Sequence, residues 1–310
     1  MVFLYKKTFL LVILLFFSLV SANARLKVAT WNMQTFFDAN TSGTEYKEFL
    51  SDKYPWTEAL YIKRCQKSAK IISEINADII ILEEIENETV LLDLYNQMSD
   101  YFFKNGNYKY ATFAKEDGAS IGIGVLSKNE IYNVKLHSSL VISRRKRSAP
   151  SRPIISFCVQ DQNKELTIFA NHWKSKLGGG KDLRELQEKT LSFLSKNAST
   201  PVIALGDFNT DNSEFRKRDG FTDLKTFSNE YYALKSAWDS ASTKGGSYAY
   251  RGHWERIDNI FYSDKTVFIK DFSVFYTKAL IDKNGFPHRY SIYSEEGYSD
   301  HLPVSAVLDL

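Results

Sequence analysis

Short apolar runs closed by polar tips recur along the chain. Residues 26–31, 78–82, 108–113, 121–126, 153–159, 166–170, 202–205, 257–262, 267–275 and 303–308 are rich in Val, Ile, Leu and Phe and predict strands. Two longer segments follow helical spacing instead. In 56–75, Leu60, Cys65, Ala69, Ile72 and Ile75 recur near a period of about 3.6 residues. In 183–197, Leu183, Leu186, Leu191 and Leu194 share a face, and Asp182 is placed to cap the helix. No internal repeat or low-complexity linker divides residues 25–310, so one domain is expected there. Many strands with a few interspersed helices predict an α+β fold, a four-layer α/β sandwich in which two packed, mostly antiparallel sheets are flanked by helices.

Residues 1–24 follow a different pattern. Lys6 and Lys7 precede an apolar stretch from Phe9 to Val20, and Ser21-Ala22-Asn23-Ala24 supplies small residues in an A-x-A arrangement. The apolar core is short for a membrane span, so the segment reads as an export signal cleaved after Ala24, which places the protein in the periplasm or outside the cell. This changes the charge picture. The chain carries 40 Lys+Arg against 37 Asp+Glu, a net +3, and without Lys6 and Lys7 the balance is 38 against 37, or +1. Any polyanion must therefore be met by a local basic patch. Export also opens two fates for Cys65 and Cys158: a disulfide, or two free thiols. With 44% hydrophobic and 25% charged residues, the composition excludes a disordered chain and a disulfide-dense miniprotein.

The candidate chemistry lies at the strand ends, where loops on a rigid scaffold usually carry function. Asn32 and Gln34 follow the first strand, and Glu83 and Glu84 the second. Asn171-His172 follow 166–170, and Gly206-Asp207-Phe208-Asn209 follow 202–205. Asp258 sits inside 256–260, where a buried acid must find a partner, and Ser299-Asp300-His301 precede the last strand. Each motif alone has an ordinary explanation as a turn, a cap or a solvated acid. Together, and in this order, they do not.

The set VATWNMQTFFD (28–38), IILEEIEN (80–87), GIGVLSK (122–128), FANHWKSK (169–176), ALGDFNTD (204–211), SYAYRGHWERIDNIF (247–261) and YSDHLPVSA (298–306) resembles the endonuclease/exonuclease/phosphatase (DNase I-like) superfamily of metal-dependent phosphodiesterases. Within it the chain is most similar to an exported bacterial nuclease-like branch. The resemblance implies that Glu84 is the principal metal ligand, with Asn32 and Asp300 close to the ion. His301 would be the general base, with Asp258 on its other ring nitrogen. Asp207 and Asn209 would orient water and phosphate, and Asp207 is an alternative base. His172 would act at the phosphate or as the acid toward the leaving oxygen, and Asn171 would donate to a phosphate oxygen. Glu83 stands where the family more often has Gln; it would either add charge near the metal or face solvent. Carboxylate and amide oxygens suit Mg²⁺ or Mn²⁺, and there is no zinc-type Cys/His cluster.

The dense basic run Ser143-Arg144-Arg145-Lys146-Arg147, followed by Arg152, reads either as a solvated loop or as contact to a phosphate backbone. Arg152 has a second claim, because an Arg-Pro here resembles the family's strand leading toward the site. Lys174 and Lys176 would extend the same surface. Phe286, Tyr290, Tyr293 and Tyr298 surround His288 and Arg289, and half-buried packing is their default reading. The expectation is an exported Mg²⁺-dependent nuclease of low sequence specificity, monomeric, with nucleic acid as substrate and no obligate protein partner. The alternative is a secreted phosphodiesterase or phosphatase on a lipid headgroup, sphingomyelinase-like, or on a small phosphoester. A binding protein on a dead scaffold would have lost key residues, and Glu84, Asp207, Asn209, Asp258, Asp300 and His301 are all present.

Overall fold

The computed structural model describes residues 25–99, 107–138, 152–161, 163–217, 234–240, 245–263 and 266–310. The predicted export signal and Arg144, Arg145 and Arg147 lie outside the described residues. Strand β1 (Arg25–Phe36) leads through a 3-10 turn (Lys47–Leu50) to helix α1 (Glu58–Ile75). Then come β2 (Ile79–Ile85), helix α2 (Glu88–Gln97), β3 (Tyr110–Ala114), β4 (Gly122–Ser127), β5 (Ile131–His137), β6 (Ile154–Asp161) and β7 (Lys164–His172). Helix α3 (Lys181–Lys196), β8 (Val202–Asp207) and the short helix α4 (Asn212–Lys217) are followed by β9 (Leu234–Ser236), β10 (Tyr248–Tyr250) and β11 (His253–Glu255). The last strands are β12 (Asp258–Ser263), β13 (Phe268–Val274) and β14 (Val304–Asp309).

Two six-stranded sheets result, in the orders β13-β14-β1-β2-β4-β3 and β5-β6-β7-β8-β12-β9. Each holds one central parallel pair, β1 with β2 and β7 with β8, and is otherwise antiparallel. A parallel pair needs a crossover, and the two long helices supply it: α1 joins β1 to β2, and α3 joins β7 to β8. Alternation sets the layers. Leu26, Val28, Ile79 and Ile81 of one sheet meet Leu166, Ile168, Ile203, Leu205 and Ile260 of the other in a shared core. The intervening Ala29, Trp31, Ile80 and Leu82 pack outward on α1 and α2, while Phe169, Val202 and Ala204 pack outward with Leu191 of α3. Burial on both faces explains why the central strands read as continuous apolar runs.

Three expectations change. Asp182 does not cap α3; Gly180 occupies the cap without a side-chain bond, and Asp182 lies exposed in the first turn, where its charge still favours the helix dipole. The face of α3 that is buried carries Gln187, Glu188, Leu191, Ser192 and Ser195, because Gln187 ties the helix to two backbones: its Nε2 donates to Arg152 O (2.8 Å) and its Oε1 accepts from Lys174 N (3.0 Å). Strand β5 is not among the predicted strands; it is an edge strand mostly open to water, and its alternating Val134 and Leu136 are exposed.

Cys65 and Cys158 are free. Cys65 faces the outer side of the first sheet from α1, whereas Cys158 lies between the inward residues Phe157 and Val159 of the second sheet, so the core separates them. Denaturing alkylation without reductant should therefore add two groups. Burial pushes the Cys65 thiol up to about 12, so it should stay unmodified in the native protein near neutral pH. Intact mass showing no adduct after denaturing alkylation would mean the thiols are bridged.

Candidate active site

The inward-facing positions of five strands are apolar through the core and turn polar at one end of the sandwich. On β1 the series runs Leu26, Val28, Thr30, Asn32; on β2, Ile79, Ile81, Glu83; on β7, Ile168, Ala170, His172; on β8, Ile203, Leu205, Asp207; on β12, Ile260 back to Asp258. Strand register then brings the polar ends side by side. His172 pairs with Asp207 across β7 and β8, Asp207 pairs with Asp258 across β8 and β12, and Asn32 pairs with Glu83 across β1 and β2. The sheets meet where Asn32 Nδ2 donates to Asp207 Oδ2 at 3.1 Å.

Glu84 breaks the alternation. Simple pleating would turn it to the helical layer, away from Glu83. A register shift between Glu83 and Ile85 and a left-handed backbone at Glu84 (φ 63°) re-aim it into the site. Its Oε2 accepts from Thr35 N at 2.7 Å, and its Oε1 lies 3.4 Å from Asn32 Nδ2 and 3.6 Å from His172 Nε2. Glu83, by contrast, neither approaches a metal position nor faces solvent. It is fully buried between the sheets, accepts from the Thr30 hydroxyl through Oε1, and leaves Oε2 without a partner among the described residues. Burial, reinforced by Asp258 and Asp207, pushes its carboxyl well above the usual range, so it is carried as a neutral acid.

His301 is held on every side. Its Nδ1 donates to Asp258 Oδ2 at 2.8 Å, its backbone N–H meets Ser299 Oγ (3.1 Å), and its carbonyl accepts from Trp31 Nε1 (3.1 Å). The Tyr248 ring lies 4.7 Å from the imidazole. Trp238 Nε1 fixes the Asp258 carbonyl at 2.8 Å. Burial alone would lower the His301 pKa, but the Asp258 contact, with Asp207 and Asp300 behind it, raises it well above the usual value. Nε2 remains the free nitrogen, 3.9 Å from Asp300 Oδ1. Asp300 in turn lies 3.6 Å from an Arg289 guanidinium nitrogen.

His172 is the electrostatic opposite. Burial, with Arg152, His301 and Lys174 adding, holds it well below the usual histidine range. The imidazole is therefore neutral, and its Nε2 accepts from the Arg152 guanidinium, which also donates to Trp173 O at 3.0 Å. Its approaches to Glu84 and to Asp207 (3.7 Å) are accordingly not ion pairs. Glu116 and Asp117 line a 240 Å³ cavity with His172 and Arg152, and no hydrogen bond joins either of them to His172 among the described residues. Asp207 accepts from Asn209 N (2.8 Å) and Asn209 Nδ2 (3.0 Å), and burial pushes its carboxyl up to about 7.

Two assigned roles do not survive the geometry. Asn171 points to the outer layer, the far side of β7 from His172; its Nδ2 donates to Phe169 O (2.8 Å), its Oδ1 accepts from Trp173 Nε1 (3.0 Å), and it is completely buried. It cannot meet a phosphate. Lys176 is engaged with Glu214 (3.2 Å) and Glu255 (3.1 Å). Asn32 reaches the site as a donor: Gln34 N occupies its Oδ1 at 2.9 Å, so its nitrogen, not its oxygen, faces Glu84 and Asp207.

Arg64 was missed by reading motifs alone. Fully buried on α1, it donates to the carbonyls of Met33 (2.8 Å), Gln34 (2.6 Å) and Thr35 (3.1 Å), between the rings of Phe36 (4.3 Å) and Tyr290 (4.1 Å). Those carbonyls belong to the left-handed turn at Gln34 (φ 52°) and Thr35 (φ 47°) whose N–H group holds Glu84. A signal was available: an arginine sits on the apolar stripe of α1, three residues after Tyr61 and beside Cys65.

A divalent cation fits this arrangement. Glu84 and Asp207 present carboxylate oxygens to the same His172 nitrogen, at 3.6 and 3.7 Å, with Asp300 beside His301, and hard ions take such ligands. The tightest geometric group is Asp207, Asp258 and His301, whose ligand atoms lie within 4.8 Å of one another. There, however, the 2.8 Å bond between His301 and Asp258 already occupies the inner atoms, so we place the ion with Glu84 and Asp207.

Two tests arise from the site itself. A Cβ on Gly206 would meet Asn171 O at 1.8 Å, and its φ of 142° belongs to glycine. Gly206→Ala should therefore cost roughly 3 kcal/mol or more in denaturant unfolding; a loss under about 1 kcal/mol would show that β7 and β8 can part there. Without divalent ions, Asp207 has a folded pKa of about 7 against an ordinary 3.8, and His301 is shifted upward too. Both groups bind protons more tightly when folded. The Asp207 contribution is complete at acid pH and is lost as pH rises through about 7, and that of His301 is lost as pH rises through its own raised value. The melting temperature in EDTA should fall between pH 5 and pH 8, with divalent ion restoring part of it; a rise over that interval would contradict these environments.

Residues 27–309 match the family model described as the Endonuclease/Exonuclease/phosphatase family. The comparison with curated protein sequences found no match. Solved structures agree on the fold. An endonuclease/exonuclease/phosphatase family protein from Bacteroides thetaiotaomicron has a TM-score of 0.61 at 17% identity, covering 92% of this chain and 97% of its own. A mannosyl-6-phosphatase from the same organism gives 0.56 at 17% identity, with 92% and 100% covered. TDP2 of D. rerio, complexed with a single-strand DNA product, gives 0.58 at 13% identity, with 92% and 99% covered. Divalent-metal-dependent phosphoester hydrolysis is the common chemistry of the superfamily, and the polar end of this sandwich offers acids and histidines suited to it. On the extent of the family match, supported by the shared two-sheet architecture, the chain belongs to the endonuclease/exonuclease/phosphatase family.

Proposed function

We propose that this protein is an exported, Mg²⁺- or Mn²⁺-dependent phosphodiesterase that cleaves nucleic acid strands with low sequence specificity. The observation that carries the reading is the buried Asp258–His301 pair (2.8 Å) grouped with Asp207, which together with Glu84 flanks neutral His172. When bound, the ion supplies charge neutralisation at the phosphate and acidifies water. Glu84 and Asp207 would hold it, with Asp300 nearby. His301 in its neutral form takes the proton of the attacking water on Nε2, and Asp258 stabilises the imidazolium that forms. Arg152 and His172 meet the phosphate as a cation and a neutral ring. The P–O bond on the far side breaks, and the departing oxygen takes a proton from solvent or from a group at that side.

A second reading is a phosphatase on a small phosphoester. The fold neighbour named mannosyl-6-phosphatase supports it, as does the modest size of the cavity beside His172 (240 Å³). Plasmid, single-stranded DNA, RNA and a panel of sugar phosphates should be offered to the mature, folded protein with Mg²⁺ or Mn²⁺, with and without EDTA. Cleavage of strands that EDTA abolishes is the expected result. Phosphate release from sugar phosphates with all nucleic acids left intact would replace the first reading by the second.

A further inference from the structure

Next to the loop that holds Glu84 lies a second and larger cavity of about 450 Å³, within the size range of small-molecule sites. Phe49, Tyr290, Ile292 and Tyr293 supply its apolar and aromatic walls, and Gln34, Glu48, Arg289 and Ser291 its polar ones. Two of its residues connect it to the reaction centre. Thr35, also in its wall, donates its N–H to Glu84 at 2.7 Å, and Arg289 stands 3.6 Å from Asp300. A phosphoester lying at Glu84 would therefore be close both to His172 and to this cavity.

The walls are fixed before any ligand arrives. Gln34 Nε2 donates to Tyr290 O and Gln34 Oε1 accepts from Tyr290 N, both at 2.9 Å, and the Tyr290 ring lies over buried Arg64. Tyr54 packs edge-on against Tyr293 (4.7 Å between centroids, 87° between planes), which steadies a ring that is still 61% exposed. The chain pins this loop to α1 at its far end as well, where Lys63 pairs with Glu295 and Lys67 donates to Gly297 O. The Gln34 amide is engaged at both ends, and beside Glu48 and Ser291 the cavity presents an open aromatic ring with a guanidinium in the same lining. Those are the elements of a stacking platform for a flat, π-rich group.

We propose that this cavity binds an unpaired nucleobase of the strand being cut, with Tyr293 as its stacking platform and specificity-determining residue. The inference rests on the nuclease reading above. A base held in a duplex is stacked and paired on its own account and must leave the helix to enter, so single strands are the favoured substrate class. The test compares a single-stranded oligodeoxynucleotide with an abasic strand of equal length, each with Mg²⁺, for the parent, Tyr293→Ala and Tyr293→Phe. Tyr293→Ala should raise KM about tenfold or more on the base-bearing strand, leave kcat within about twofold, and leave KM on the abasic strand unchanged. Tyr293→Phe should restore the parent KM. An unchanged KM, or an equal rise on both strands, overturns the stacking assignment while the nuclease reading stands. A parent that cuts neither strand yet hydrolyses another phosphoester overturns the nuclease reading itself, and this inference with it.

Discussion

His301→Asn should lower turnover by about 10²- to 10⁴-fold while the protein stays folded, the range expected for loss of a positioned base. Asparagine is the informative choice. Its Nδ2 sits near the place of the imidazole Nδ1 and can keep the 2.8 Å bond to Asp258, so the buried carboxylate is not abandoned. What disappears is Nε2 alone. His301→Ala removes both nitrogens and leaves Asp258 Oδ2 without its partner, in a place where Asp258 Oδ1 already has none among the described residues, so instability would confuse the measurement. Circular dichroism and melting establish folding, and single-turnover kinetics measure the chemistry. Turnover within about tenfold of the parent in a folded His301→Asn protein would take the base role away from His301.

Glu84→Gln is the second large effect. The substitution keeps an oxygen for the Thr35 N–H and deletes only the charge. Loss of an outer hydrogen-bond partner of a metal ligand typically costs about 10- to 100-fold in affinity, and loss of a direct ligand charge should cost at least about 100-fold. Mn²⁺ binding, followed by the electron paramagnetic resonance of the free ion, reads this without relying on activity. Unchanged Mn²⁺ affinity would move the ion to the Asp207, Asp258 and His301 group and break the base assignment together with it. The same titration separates the two acids in the Glu-Glu pair. Glu83→Gln replaces a neutral buried acid by a neutral amide and should leave Mn²⁺ affinity near the parent value.

Strand positions and most polar tips were readable because they depend on local patterns. A central strand buried on both faces must be apolar throughout, and a polar residue at its end must therefore be explained. Asp258, His301, Asp207 and Glu84 were all found in that way, and the structure brings them to one end of the sandwich. Helix α2 and strand β5 were not legible: the first is only ten residues long, and the second is a short exposed edge whose apolar residues Val134 and Leu136 are not buried. Asn171 was over-read because its neighbour His172 carries the motif. Successive residues of a strand point to opposite faces, so both could not face the same phosphate.

Period-two alternation thus suffices to say which strand residues share the inter-sheet face, and the order of motifs along the chain suffices for the family. Neither could settle direction at Glu84, where one irregular register step reverses the side chain. Nor could they separate two buried histidines of identical chemistry. His301 is driven up by three carboxylates from β8, β12 and its own neighbour, while His172 is driven down by burial beside Arg152. Those differences are sums of fields and desolvation over groups that are distant in sequence and adjacent in space. The alternation is a property of each strand taken alone, whereas the charge state of the site exists once the two sheets have closed on it.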